Sequence, residues 1–196
     1  MSDQIPLNFS DDGRRLSVGL SWDHNEEESA YGDIKVHDLD LSCAVISQTG
    51  EIIDIISPQE PKREQYKFVI FHSGDHASGA SDFEDELINV QINNIDDTIG
   101  TLAFFISTKD SVKLKDVANP ECVFLEGTTL DKFFSIDLAK ADEIAEENGQ
   151  QGAYFLAGAI QRAQNDNTQW VLKPVQSYLS NTNLAMLAQE MSELLK

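Results

Sequence analysis

The sequence predicts a mostly β protein: a two-sheet β-sandwich with short helical segments and an amphipathic C-terminal helix. Three observations carry that prediction. Short runs of alternating apolar and polar residues recur along the chain, and a period of two marks a strand with one buried face. Turn chemistry separates such runs, as at Gln48-Thr49-Gly50 and Asn165-Asp166-Asn167. The last segment differs, because Leu184, Leu187, Met191, Leu194 and Leu195 follow helical spacing.

In chain order, residues 15–22 (RLSVGLSW) put Leu16, Val18, Leu20 and Trp22 on one face. Residues 24–32 (HNEEESAYG) read as an acidic loop. Residues 38–47 (DLDLSCAVIS) form a second strand, with Leu39, Leu41, Cys43 and Val45 inward and Asp38 and Asp40 on the other face. The turn at 48–50 and the apolar run 51–56 make this a hairpin. A polar connector with two prolines, 58–67, leads to residues 68–71 and then to a second acidic loop. Residues 86–92 (ELINVQI) alternate again, with Leu87 set against Asn89 and Gln91 on the outside.

The most hydrophobic run, 101–108 (TLAFFIST), is the candidate central strand, and 121–125 and 133–138 are further strands. Residues 139–148 read either as a short helix ended by Gly149 or as an acidic turn region. Their acids, Asp142 among them, read as a solvated face. Residues 152–163 and 169–176 form a last hairpin. Thr182 or Asn183 would cap the terminal helix, at about residues 183–195, which is expected to pack on the sheet as core. No repeat or linker divides the chain, so residues 1–196 are expected to form a single β-sandwich domain.

Charge narrows the function. Lys and Arg number 14 against 34 Asp and Glu, a formal charge of −20. A surface of that sign repels phosphate backbones and anionic membranes, so neither nucleic acid nor an anionic lipid surface is an expected partner. No apolar run is long enough to span a bilayer, and the N-terminal residues lack the basic-then-apolar pattern of a signal peptide. A cytoplasmic location is therefore expected. Cys43 and Cys122 lie in apolar strand-like runs and are expected to be buried, reduced thiols.

The chemistry-bearing stretch is residues 72–90, HSGDHASGASDFEDELINV. Asp75, Asp82, Glu84, Asp85 and Glu86 fall in it with no Lys or Arg between them, and Gly74 and Gly79 punctuate it. Carboxylates this dense repel one another unless they are solvated or met by a cation. A hard divalent ion such as Ca²⁺ takes about 6–8 oxygens, which a Gly-punctuated acidic loop can supply. Asp38 and Asp40, two apart on a strand, add two carboxylates on one face. The spacing of an EF-hand is absent.

Other chemistries have less behind them. His72 and His76 flank Asp75 and could frame a transition-metal site. The sequence has no Gly-x-Ser-x-Gly elbow, His-Glu-x-x-His motif or phosphate-binding loop, so no catalytic residue is assigned. A hydrolase using two carboxylates carries no spacing signature.

Three motifs occur in order: GLSWD at 19–23, HDLDLSCAVI at 37–46, and HSGD-x3-G-x4-EDE-x-INV at 72–90. Together they resemble the TerD-like tellurite-resistance and stress-protein family, whose relatives include cyclic-AMP-binding proteins of slime moulds. The resemblance runs over about residues 16–175. It implies a β-sandwich that binds Ca²⁺ through the acidic loop and the Asp-x-Asp strand. It points to Asp38 and Asp40, and to Asp75, Asp85 and Glu86, as ligands, with Glu84 where an acid is usual and Asp23 closing GLSWD.

The chain departs from the family at His76, where Asn is usual, and at Phe83, which replaces a glycine. These changes bear on one of the two calcium positions the resemblance implies. The usual Lys- and Gly-rich first strand is replaced by MSDQIPLNFSDDG. The function implied is a Ca²⁺-binding stress-response scaffold, whose acidic loop is ordered by calcium and which meets protein partners of a stress-response complex. The alternative is a small-ligand (nucleotide-like) binder or metal-assisted hydrolase using the same pocket.

Overall fold

The computed structural model describes residues 4–9, 14–24, 37–61, 63–66, 68–75, 84–109, 112–127, 130–163 and 166–195. Two antiparallel sheets face one another. The larger has six strands in the order β1 (Ile5–Pro6), β11 (Asp166–Leu179), β10 (Tyr154–Ala163), β7 (Ile99–Thr108), β3 (Leu39–Ser47) and β4 (Ile52–Ile56). The smaller has five, in the order β5 (Ile70–His72), β6 (Glu86–Gln91), β2 (Arg15–Asp23), β8 (Ala118–Glu126) and β9 (Asp131–Asp137).

The alternation read from the sequence decides which side chains meet between the sheets. Leu16, Val18, Leu20 and Trp22 of β2 pack in one core with Leu39, Leu41, Cys43 and Val45 of β3. Leu102, Phe104 and Ile106 of β7 join it, and Phe104 meets Phe124 of β8 edge-to-face at 5.8 Å. Edge-to-face pairs of this kind add about 0.5–1.5 kcal/mol beyond the area they bury. The run 101–108 is central as expected, since β7 lies between β10 and β3.

The outer face of the larger sheet is covered by α2 (Leu184–Leu194). Small residues, Ala44, Ala103 and Ala159, let the helix approach, and Leu187 and Met191 fill the space above them. Asn183 caps the helix by accepting from the Ala185 and Met186 amides, and Glu190 accepts from the Ser180 and Asn181 amides. The helix therefore serves as core, as its spacing predicts.

Residues 139–148 resolve to a helix, α1 (Leu138–Glu147), capped by Asp137. Here the reading of a solvated acidic face fails at Asp142. Its residue is only 2% exposed, and its carboxylate accepts from the Lys115 amide at 3.0 Å and the Tyr178 hydroxyl at 2.8 Å. Spacing within the helix could not show this, because both donors come from other elements.

Two smaller differences concern strands. Ile5–Pro6 pairs with Leu172 and Val171 of β11, so a short first strand exists where the sequence pattern gave none. On β6, Leu87 shares the outer face with Asn89 and Gln91, while Glu86, Ile88 and Val90 point inward. A glutamate thus holds the first inward position of that strand.

Candidate metal centre

The parity that buries Ile88 and Val90 also buries the Glu86 carboxylate, which is 0% exposed. From the smaller sheet it reaches the larger one, where its Oε2 accepts the Leu41 amide at 2.7 Å. His72, paired with Ile88 across β5 and β6, is equally buried and approaches the same Oε2 through Nε2 at 3.3 Å. The other ring nitrogen, Nδ1, accepts the Gly74 amide at 2.9 Å. Gly74 has a φ of +120°, a conformation that glycine adopts without strain and that aims its N–H back at the ring.

These contacts assign the tautomer. A nitrogen that accepts carries no proton, so the imidazole is neutral, with its proton on Nε2 facing Leu41 O at 3.1 Å and Glu86. His72 therefore orients Glu86 without neutralising it. Both its nitrogens are engaged, so it offers no lone pair to a metal, and the His72–His76 reading loses its first ligand. Burial, foremost, holds the Glu86 carboxyl above its ordinary pKa; the Asp40 charge adds to this, and the bonds from His72 and Leu41 oppose it.

Asp40 stands on the outer parity of β3, half-buried, with Gln59 donating to Oδ1 at 3.3 Å. Its pKa is also raised, first by burial and then by the Asp38 and Asp75 charges, against Gln59 and Lys109. One carboxylate oxygen each from Asp40, Asp75 and Glu86 lie within 4.8 Å of one another. Carboxylates this close favour a proton or a cation, and an all-oxygen set suits a hard divalent ion.

Asp38 supports the same conclusion from the side. Its Oδ2 takes the Lys109 ammonium at 2.8 Å, while its buried Oδ1 has no hydrogen-bond partner. A buried acceptor left unpaired costs about 1–3 kcal/mol, more for a charged group. A cation at this corner would relieve that cost.

Two other expected ligands, Asp85 and Glu84, also make contacts with the β2 strand. Asp85 Oδ2 accepts the Trp22 amide at 3.1 Å, and the Asp85 amide donates to Leu20 O at 2.9 Å, so the residue ties β6 to β2. Glu84 lies over Gly19: a Cβ there would meet Glu84 Cγ at 2.5 Å and Val123 Cγ2 at 3.0 Å. Trp22 Nε1 donates to His37 O at 3.0 Å. The three sequence motifs thus interlock, but only Asp40, Asp75 and Glu86 form the close carboxylate set among the described residues. His76, Asp82 and Phe83 lie outside them, as do residues 25–36.

Sequence reasoning missed His72 as an orienting group, along with Gln59 and Lys109. The inward parity of Ile70 and His72 was a signal for the first. The other two depend on register and on a loop path, which carry no local signature.

Comparison with known proteins bears on the family and the fold. The TerD domain family matches residues 2–190. The tellurium resistance protein TerZ of Serratia marcescens is 30% identical over 118 residues, 58% of this chain and 60% of that protein. The general stress protein 16U of Bacillus subtilis (strain 168) is 25% identical over 153 residues, 69% of this chain and 76% of that protein. The tellurium resistance protein TerX of Serratia marcescens is 26% identical, over 51% of this chain and 56% of that protein. The matched part of the chain thus spans less than two thirds of the two Serratia proteins.

In the fold, a homologue of telluride resistance protein (TerD) from Streptomyces coelicolor A3(2) superposes with a TM-score of 0.67 at 16% identity. It covers 91% of this chain and 96% of that one. With the family match extending over nearly the whole sequence, the chain belongs to the TerD domain family.

Proposed function

We propose that this chain is a calcium-binding stress-response protein, a scaffold whose acidic corner is fixed by Ca²⁺ and then offered to protein partners. The observation that carries the reading is the close set of Asp40, Asp75 and Glu86. Burial, Asp38 and Asp75 weigh against ionisation at Asp40, and burial with the Asp40 charge weighs against it at Glu86. Asp38, with an unpartnered buried oxygen beside this set, supplies a further acceptor. The residues present therefore fit a divalent cation: Asp40, Asp75 and Glu86 would hold it, with Asp38 adjoining. Bound there, the ion would cancel the repulsion and fix Asp75 and Glu84, the described ends of the connection between β5 and β6.

The matched relatives are named for tellurium resistance and general stress, and the proposal places this chain in a similar response. Direct reduction of an oxyanion by this chain's thiols is disfavoured. Cys43 and Cys122 are both fully buried, and burial pushes their thiols up, Cys122 to about 12. So little thiolate makes a poor nucleophile or reductant. No described helix is long and apolar enough to cross a membrane.

The test is thermal melting in EDTA, in millimolar calcium and in millimolar magnesium. Calcium is expected to raise Tm clearly and magnesium much less, since Mg²⁺ demands near-octahedral geometry and sheds water reluctantly. Equal melting in EDTA and calcium would remove the reading.

A further inference from the structure

Lys109 follows the last residue of β7, and the pairing of Thr108 with Leu39 brings it beside Asp38. Asp38 holds it twice: its carbonyl accepts the Lys109 amide at 3.0 Å, and its Oδ2 accepts the ammonium at 2.8 Å. The two ends of this ion pair differ in burial. The Lys109 side chain is 67% exposed, whereas that of Asp38 is 10% exposed. The ammonium can therefore leave for water at small cost, but the carboxylate cannot. Among the described residues Asp38 and Asp75 hold the Asp40 carboxyl up and Lys109 opposes them, so the same ammonium offsets part of the repulsion in the acidic set.

We propose that Lys109 is a built-in counter-ion, which occupies Asp38 in the metal-free protein and competes with a divalent cation for that carboxylate, so setting the concentration at which the site fills. The inference rests on the metal reading above and adds to it a residue that no metal-ligand argument would single out, because a lysine cannot be a ligand while protonated. On ion arrival the ammonium moves into solvent. Its backbone bond to Asp38 O is independent of the side-chain pair and needs no change.

The alternative is that the pair is only a latch holding the ends of β3 and β7. The two roles predict opposite effects on calcium. Calcium binding by wild type, Lys109→Met, Lys109→Arg and Lys140→Met is measured by titration calorimetry after decalcification. Lys140, on the exposed part of α1, removes the same unit of charge away from the site.

Loss of an exposed ion-pair competitor is expected to tighten calcium binding in Lys109→Met about two- to fivefold. Lys109→Arg and Lys140→Met should stay near wild type. The calcium-induced rise in Tm should also be larger in Lys109→Met than in wild type. A Lys109→Met protein that binds calcium no more tightly than wild type overturns this inference and leaves the metal reading standing. Absence of calcium binding in wild type and Lys109→Met alike overturns both.

Discussion

Replacing Glu86 by Gln separates a metal ligand from a structural hydrogen-bond acceptor, because the two roles predict different signs. Glu86 is fully buried and receives the Leu41 amide at 2.7 Å, with His72 Nε2 at 3.3 Å on the same oxygen. A glutamine carbonyl can accept from both, so the bridge between sheets survives the change. What disappears is a desolvated negative charge. Replacing a buried charge by a neutral group of the same shape is neutral or stabilising, here by about 0–2 kcal/mol in EDTA.

In calcium the balance reverses. A ligand at a hundred times its Kd stabilises the wild type by about 2.7 kcal/mol, and a tenfold loss of affinity removes about 1.4 kcal/mol of that. For a chain of this size each kcal/mol moves Tm by about 2–4 °C. Differential scanning calorimetry should thus rank Glu86→Gln at or above wild type in EDTA and below it in calcium. A variant displaced downward by the same amount in both buffers would refute the reasoning and leave Glu86 a structural acceptor.

Further outcomes follow from the same contacts. Asp40→Asn should weaken calcium binding in a titration, whereas Asp85→Ala, which removes the acceptor of the Trp22 amide, should lower stability by about 1–3 kcal/mol in either buffer. Asp142→Ala strands the Lys115 amide and the Tyr178 hydroxyl. It should cost about 1–3 kcal/mol in denaturant unfolding and leave calcium affinity unchanged. The pH dependence has a definite sign. Asp40 and Glu86 have folded pKa values raised above 3.8 and 4.5, so the metal-free native state binds their protons more tightly than the unfolded chain. Their contribution then falls as pH rises from those values through the raised ones, and calcium should restore it at neutral pH. Urea midpoints between pH 4 and pH 7, in EDTA and in calcium, would show the two trends diverging.

Most of the fold was legible because strand parity is local. Leu16, Val18, Leu20 and Trp22 announce their shared face by alternation, and all four lie in the core. The terminal helix declared itself by spacing and by its Asn183 cap. The site was legible only as a set of candidates. Asp38, Asp40, Asp75, Glu84, Asp85 and Glu86 are all acids near one corner, yet their side chains do different work. Asp40, Asp75 and Glu86 converge, Asp38 is shared with Lys109, Asp85 binds the Trp22 amide and Glu84 lies across Gly19. Which way each turns depends on the pairing of Leu20 with Glu86 and of Leu39 with Thr108. Those registers join segments far apart in the chain. Asp142 was hidden for the same reason, its partners Lys115 and Tyr178 being 27 and 36 residues away.

On the proposed reading, the carboxylates of Asp40, Asp75 and Glu86 form a site for a divalent cation rather than a patch of diffuse charge. It is tested most directly by a calcium isotherm on decalcified protein at physiological ionic strength, for wild type and for the double variant Asp40→Asn with Glu86→Gln. Wild type should show saturable binding and the double variant none. Absence of saturable binding in wild type, or the same isotherm for both proteins, would contradict it.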